Sequence, residues 1–244
     1  LVIVPTTNSA EISLVTVALN HRAVPEADVL VIDDASPDGT GVIADELAAH
    51  DNRMTVLHRP EKSGLGAAYL QGFARAFEGG YEAVVEIDAD GSHDPAELPS
   101  MLALLDAGPA DLVIGSRWVP GGRVVNWPWA RRAISRSGNR YARWILRSRI
   151  HDLTAGFRAY RTRALRGLDR AVVSSQGYCF QVELAWRVEA AGGVVVEHPI
   201  AFVERANGRS KMGPGIVAEA LVRVTGWGVS ARFGRGSNHR LVAG

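Results

Sequence analysis

Two aspartates one residue apart close an apolar run in "VVEIDADGSHDP", which spans Val84 to Pro95. Asp88 and Asp90 offer hard oxygen donors, and such a pair can hold Mg2+ or Mn2+ while leaving other coordination positions to water and a diphosphate. A cation held there neutralises charge developing on a departing diphosphate. The plainer reading is that acids at a strand end cap the next helix or face solvent, and for an isolated D-x-D that reading leads. The pair gains weight from its company. "VIDDASPDGT" ends another apolar run on Asp33 and Asp34, which can accept hydrogen bonds from a nucleobase or ribose, and turn residues then lead into a helix. "EKSGLGAAYLQG" opens a further helix with glycines that let the backbone approach a ligand, and Lys62, beside Gly64, can reach a phosphate. Gly64-Leu65-Gly66 lacks the G-x-G-x-x-G spacing after the first strand, so dinucleotide-dependent hydride transfer is disfavoured.

Basic residues take over in the second half. Through Ser116 the chain has 19 Asp and Glu against 5 Lys and Arg, whereas from Arg117 onward 22 bases face 7 acids, so a net charge of +1 hides two opposed halves. No acid lies between Arg117 and Asp152, a stretch with nine arginines. This division suits an enzyme that holds a cation in one half and phosphate-bearing groups in the other. Cys179 is the sole cysteine, which excludes an internal disulfide framework and a cysteine-rich zinc site and suits a reducing compartment, with core packing as its role. Neither an apolar run of membrane-spanning length nor a secretion signal is visible.

The elements that must position these groups alternate. "LVIVPTT", "DVLVIDD", "MTVLHR", "AVVEID" and "DLVIGSR" read as buried parallel strands, with helices expected near 10–22, 39–50, 66–78 and 95–107. Such alternation predicts an α/β fold: an open, mostly parallel, Rossmann-like sheet with helices on both faces. Asp94 is placed to cap the helix that Pro95 opens. Ligands in such sheets bind beyond the carboxyl ends of the strands, so "PTTN", "DDASPDGT" and "DADGSH" are expected to converge. Farther on, a helix over 129–148, another near 179–191, a strand pair across "VVVEHPIAFVER" and an amphipathic helix from about 215 to 232 are expected. The chain reads as one domain over 1–244, with a nucleotide-sugar and metal half at 1–116 and an acceptor-phosphate and membrane-facing half at 117–244.

Taken in order, "VIDDASPDGT", "KSGLGAAYLQGF", "EIDADGSHDP", "DLVIGSRWVPGG", "RRAISRSGNRYAR", "DLTAGFRAYR" and "ERANGRSKM" resemble the family-2 glycosyltransferases of GT-A fold, nearest the dolichol-phosphate and polyprenol-phosphate mannose synthases. The resemblance covers nearly the whole chain. It implies a GDP-mannose donor, a divalent cation (Mg2+ or Mn2+) and a polyprenyl or dolichyl phosphate acceptor. By the same resemblance Asp33 and Asp34 contact the nucleoside, Asp88 and Asp90 meet metal and diphosphate, and Pro5 and Ala89 join the donor-binding set. Ser92 stands where relatives can supply a further ligand, but a hydroxyl binds a hard cation weakly and it stays outside the metal set. The family pattern "PTYNE" is replaced by "PTTNSAE", with Thr7 for the aromatic residue and Ser9 for the acid, so the usual base contacts differ here.

A lipid phosphate acceptor is already anionic near neutral pH, so no strong base is needed and the protein's task is to position two phosphates that repel each other. Arg117 and Arg131 are the candidates that grip the acceptor phosphate, since guanidinium forks match its oxygens. Ser135, one helical turn after Arg131, faces the same way. Arg205 and Lys211 are further phosphate contacts. Asp152 either orients the sugar or an arginine, or is purely structural. Trp127, Trp129, Tyr141 and Trp144 among the arginines suit a helix in the headgroup layer of an anionic membrane. The terminal helix, with Ile216, Val217, Leu221, Val224 and Trp227, either does likewise, docks on a membrane-embedded partner or packs on the sheet. The expected location is cytoplasmic, peripheral on the membrane's cytoplasmic face, and no nucleic acid partner is expected. Transfer of glucose or another sugar to the same acceptor, and a catalytically silent nucleotide-sugar-binding module, remain the alternatives. A processive polysaccharide synthase is disfavoured because "QVELAWR" does not match Q-x-x-R-W.

Overall fold

The computed structural model describes residues 1–6, 22–168, 178–204 and 214–233. The five apolar runs form β1 (Val2–Thr6), β2 (Val29–Asp33), β3 (Met54–His58), β4 (Ala83–Glu86) and β5 (Leu112–Ser116). Between them lie α1 (Thr40–Ala48), α2 (Leu65–Glu78) and a 3-10 turn (Pro95–Glu97) that continues into α3 (Leu98–Ala107). Asp94 caps that turn as expected, its carboxylate accepting from Ala96 N–H at 2.9 Å with Pro95 in the first position. The helix expected near 10–22 lies outside the described residues save its last. The second half supplies β6 (Arg123–Val125), α4 (Trp129–Leu146), β7 (Arg158–Arg161), α5 (Thr162–Arg166), α6 (Tyr178–Ala190), β8 (Val195–Pro199), β9 (Ala201–Val203) and α7 (Pro214–Phe233).

The main sheet runs β3-β2-β1-β4-β7-β5-β8. Only β7 is antiparallel to its neighbours β4 and β5, so β1, β2, β4 and β5 all end at one edge of the sheet. Because side chains alternate across a strand, each run feeds two cores. Ile3, Leu30, Ile32, Leu112 and Ile114 pack with Tyr69 and Phe73 of α2 and Phe180 of α6. Val4, Val29, Val31, Val85 and Val113 face the opposite way, against Leu98, Met101 and Leu105. Cys179 is buried, as core packing requires.

Two expectations need correction, and one alternative left open is narrowed. β8 and β9 do not pair with each other: Pro199 ends β8, which lies parallel to β5, and β9 crosses to pair with β6 in a separate two-stranded sheet. Trp127 and Tyr141 do not face outward with Trp129 and Trp144. Tyr141 packs on the core and its hydroxyl meets Thr225 Oγ1 at 2.6 Å, while Trp127 is turned toward Arg117 and Arg131. The α7 stripe is partly a packing surface, since Val224 is buried and Trp227 stacks on Trp186 with centroids 6.3 Å apart.

Candidate active site

The carboxyl edge gathers the acids. Asp33 closes β2 and is buried; its Oδ1 accepts from Ser36 N–H at 3.1 Å, and His58 Nδ1 lies 3.5 Å from Oδ2. His58 also meets Asp45 at 2.9 Å, and that hydrogen bond, against some desolvation, raises the imidazole's pKa. Asp34, likewise buried, serves the neighbouring turn. It accepts from Arg59 and from Ser63 N–H (3.1 Å) on one oxygen and from Gly64 N–H (3.0 Å) on the other. Gly64 there has φ of 89°, a conformation open to glycine and strained for other residues, and it starts α2. Lys62 is exposed beside it. Pro5, in β1 between β2 and β4, is half-buried.

Beyond β4, Ala89 is buried and Asp88 and Asp90 are half-buried on either side of it. Asp90 folds its own loop by accepting from Ser92 N–H at 3.0 Å. His93 Nε2 stands 3.8 Å from Asp88 Oδ2, and the ring sits between Phe157 and Phe202 at 5.2 and 5.0 Å. The Ser92 hydroxyl and both His93 nitrogens are buried and make no hydrogen bond among the described residues. Gly156 closes the other side: a Cβ there would come within 3.0 Å of Asp88 Oδ2.

The arginines meet this edge through a second network. Arg117, just past β5, donates from Nε and Nη2 to the two Asp152 oxygens at 2.7 Å each, its N–H adds a 3.0 Å bond, and Nη2 also reaches Thr154 Oγ1 at 2.8 Å. Burial alone would raise the Asp152 pKa, but the Arg117 charge and its hydrogen bonds hold the carboxyl below its usual range. Asp152 therefore orients an arginine, one of the roles left open by the sequence. In α4, Arg131, Ser135 and Asn139 share the inward stripe expected of four-residue spacing. Arg131 pairs with Glu204, Asn139 Nδ2 bonds the Ser135 carbonyl and Thr154 Oγ1 at 3.0 Å each, and Ser135 is half-buried between them. Phe202 serves both networks, lying against His93 and 5.3 Å from Arg117 Cζ, and Val203 N–H bonds the Ser92 carbonyl at 3.1 Å. Arg205 and Lys211 lie outside the described residues.

Sequence reasoning missed the supports. Glu197 in β8 accepts from the N–H groups of His151 and Asp152 at 2.8 and 2.9 Å, and Arg158 grips the same turn. That guanidinium, wholly buried, donates to the carbonyls of Leu153 and Ala155 at 2.8 Å each and of Gln181 at 2.7 Å. An acid inside apolar "VVVEHP" and an arginine inside "GFRAY" were the available signals, because a charge within a strand needs a partner. Asn139 was legible as the next step of the Arg131-Ser135 spacing.

Acid pairs at the carboxyl edge of an open sheet with an arginine cluster beside them stand where such sheets bind ligands, and can serve a cation on one side and anionic groups on the other. The Glycosyl transferase family 2 model matches residues 1–168, and the chain belongs to that family. It is 52% identical over 236 residues to the polyprenol monophosphomannose synthase of Mycolicibacterium smegmatis, covering 96% of this chain and 89% of that protein. It is also 52% identical to the undecaprenyl-phosphate mannosyltransferase of Micrococcus luteus, over 96% of this chain and 95% of that one. Among solved structures, glucosyl-3-phosphoglycerate synthase of Mycobacterium tuberculosis with Mn2+, UDP and phosphoglyceric acid matches with a TM-score of 0.67 at 19% identity, over 97% of this chain and 79% of that one. A mannosyltransferase of Pyrobaculum calidifontis with GDP-Man and Mn2+ gives 0.59 at 18% identity, over 97% of this chain and 75% of that one. At these identities the structural matches establish the GT-A fold, and the protein is a glycosyltransferase.

Proposed function

We propose that the protein transfers mannose from GDP-mannose to a polyprenyl or dolichyl monophosphate, with inversion at the anomeric carbon. The observation that carries this reading is the pairing of two devices at one sheet edge: Asp88 and Asp90 on one side, Arg117 and Arg131 on the other, with Phe202 in contact with both networks. The names of the two relatives at 52% identity support the sugar and the lipid phosphate class.

The residues present fit a hard divalent cation. Asp88 and Asp90 offer carboxylate oxygens, and the buried Ser92 hydroxyl without a hydrogen-bond partner among the described residues adds an oxygen close by. Those aspartates would hold Mg2+ or Mn2+, which when bound supplies charge neutralisation at the donor diphosphate. The chain's own residues do the rest. Asp33 receives the nucleoside, with Asp34 shaping the turn that carries Lys62 and Gly64 toward the diphosphate, and Pro5 and Ala89 lining the approach. Arg205 and Lys211 add phosphate contacts. Arg117 and Arg131, with Ser135 one turn along α4 from Arg131, hold the acceptor phosphate in line. An acceptor oxygen attacks the anomeric carbon, the bond from that carbon to the GDP oxygen breaks, and GDP leaves with the electron pair. The acceptor is already deprotonated, so no side chain has to remove a proton.

A single incubation with polyprenyl phosphate and a panel of sugar nucleotides, with and without EDTA, tests the assignment. Lipid-linked sugar is expected from GDP-mannose alone and only without EDTA; preferential use of another donor would overturn the mannosyl reading. Asp90→Ala is expected to lower the rate about a hundredfold or more while the melting curve stays in place. Transfer near the wild-type rate in that variant would remove Asp90 from the site.

A further inference from the structure

One indole lies against both acceptor arginines. The Arg131 guanidinium carbon is 4.1 Å from the Trp127 ring centroid, and that of Arg117 is 5.5 Å from the same centroid. Two guanidinium groups brought together repel each other, and each rotates freely on a long stem unless something fixes it. The negative face of an aromatic ring attracts both at once. Trp127 is itself fixed: Phe202 meets it edge-on at 5.3 Å and Trp118 at 6.5 Å. Asn126, with φ of 62°, turns the chain into the ring, and Pro128 caps α4 directly after it. The indole N–H is buried and makes no hydrogen bond among the described residues, so the ring's role does not rest on its polar edge.

We infer that Trp127 is a positioning residue that sets the spacing of Arg117 and Arg131, so that a single phosphate monoester meets two oriented guanidinium groups. The inference rests on the reading of those arginines as the acceptor grip. Asp152 fixes the Nε side of Arg117, Arg131 pairs among the described residues only with the part-exposed Glu204, and the shared ring joins the two guanidinium groups into one site.

Steady-state kinetics with a short-chain polyprenyl phosphate and GDP-mannose test this. Trp127→Leu keeps an apolar, smaller side chain but removes the π face, and is expected to raise the acceptor KM about tenfold while the donor KM stays within about twofold. Trp127→Phe, which keeps a smaller face, is expected to fall between Leu and wild type; it carries the test alone should Trp127→Leu not fold. Because Trp127 acts through the arginines, Trp127→Leu combined with Arg131→Ala is expected to raise the acceptor KM by less than the product of the single effects. Multiplying effects, an unchanged acceptor KM in both Trp127 variants, or equal losses for donor and acceptor would overturn the inference. If Arg131→Ala itself leaves the acceptor KM unchanged, the underlying reading of the arginines falls instead.

Discussion

The Arg117–Asp152 pair shows how a charge can be held for chemistry without being free. Both side chains are buried, and the carboxylate takes one edge of the guanidinium and leaves Nη1 without a hydrogen bond among the described residues. Breaking such a pair from one side strands a buried charge, so Asp152→Asn is expected to cost about 3 kcal/mol at neutral pH. The pH dependence follows from the lowered Asp152 pKa. In the unfolded chain this carboxyl takes up its proton near the ordinary Asp value, and in the folded protein only at lower pH. The pair's stabilisation is therefore present above the unfolded pKa and lost as pH falls through the folded one. Thermal melts across the acid range are expected to show that limb in the wild type and a flatter one in Asp152→Asn. Arg131 differs, because its partner Glu204 is part-exposed and competes with any incoming phosphate. Glu204→Gln is expected to lower the acceptor KM about threefold, since a rim charge pair is worth about 1 kcal/mol or less. A raised acceptor KM would mean that Glu204 orients Arg131 rather than occupying it.

Among elements, legibility in the sequence followed burial. β1, β2, β4 and β5 are almost wholly buried and read as apolar runs, so their positions and the convergence of their ends were available from "VIDD" and "EIDAD"; β3, at the sheet edge with Thr55 and His58 exposed, was legible only from its β-branched and apolar residues. β7 was hidden because "RAYR" carries arginine at both ends: Arg158 is spent on carbonyls of the preceding turn, and Arg161 donates to the carbonyls of Ala110 and Gly108 at 2.9 and 3.1 Å. The β8–β9 error arose because adjacent strands are usually paired, whereas Pro199 lets this chain leave one sheet for another. The hidden strand matters for the site. β7 anchors the turn at 152–157, whose Gly156 stands against Asp88. Gly156→Ala would force the Asp88 carboxylate to shift by a few tenths of an ångström. The expected result is an apparent Mn2+ affinity, read by titration of the protein with the metal, that is lower by about fivefold, with Tm nearly unchanged. Unaltered affinity would show that the carboxylate can move at no cost.

For the molecule as a whole, the split between an acidic first half and a basic second half has a geometric outcome. No described helix is long and apolar enough to cross a bilayer, whereas the polyprenyl phosphate proposed as acceptor would be anchored in one. α4 offers an outward face for that encounter: Arg132, Arg136 and Arg140 are exposed at four-residue spacing, between Trp129 at 82% and Trp144 at 69% exposure. Basic residues flanked by aromatic rings suit an anionic headgroup layer, where each arginine near the surface contributes about 1 kcal/mol. The sequence placed the arginines and tryptophans on one helix but not which of them turn outward, because Trp127 and Tyr141 have the same composition signal and are claimed by Arg131 and by the core. In a flotation experiment the protein is expected to rise with phosphatidylserine vesicles and to stay down with neutral ones. Salt at about 0.5 M, where the screening length is roughly 4 Å, should release it. Replacing Arg132 and Arg140 together by Ser is expected to weaken vesicle binding about thirtyfold. Transfer to a short, water-soluble acceptor should fall far less, because neither stands on the inward stripe of Arg131, Ser135 and Asn139, whereas Arg136 lies over Trp118 beside the site and is left in place. Flotation that ignores lipid charge, or equal loss of binding and of transfer to the soluble acceptor, would overturn a membrane contact through α4.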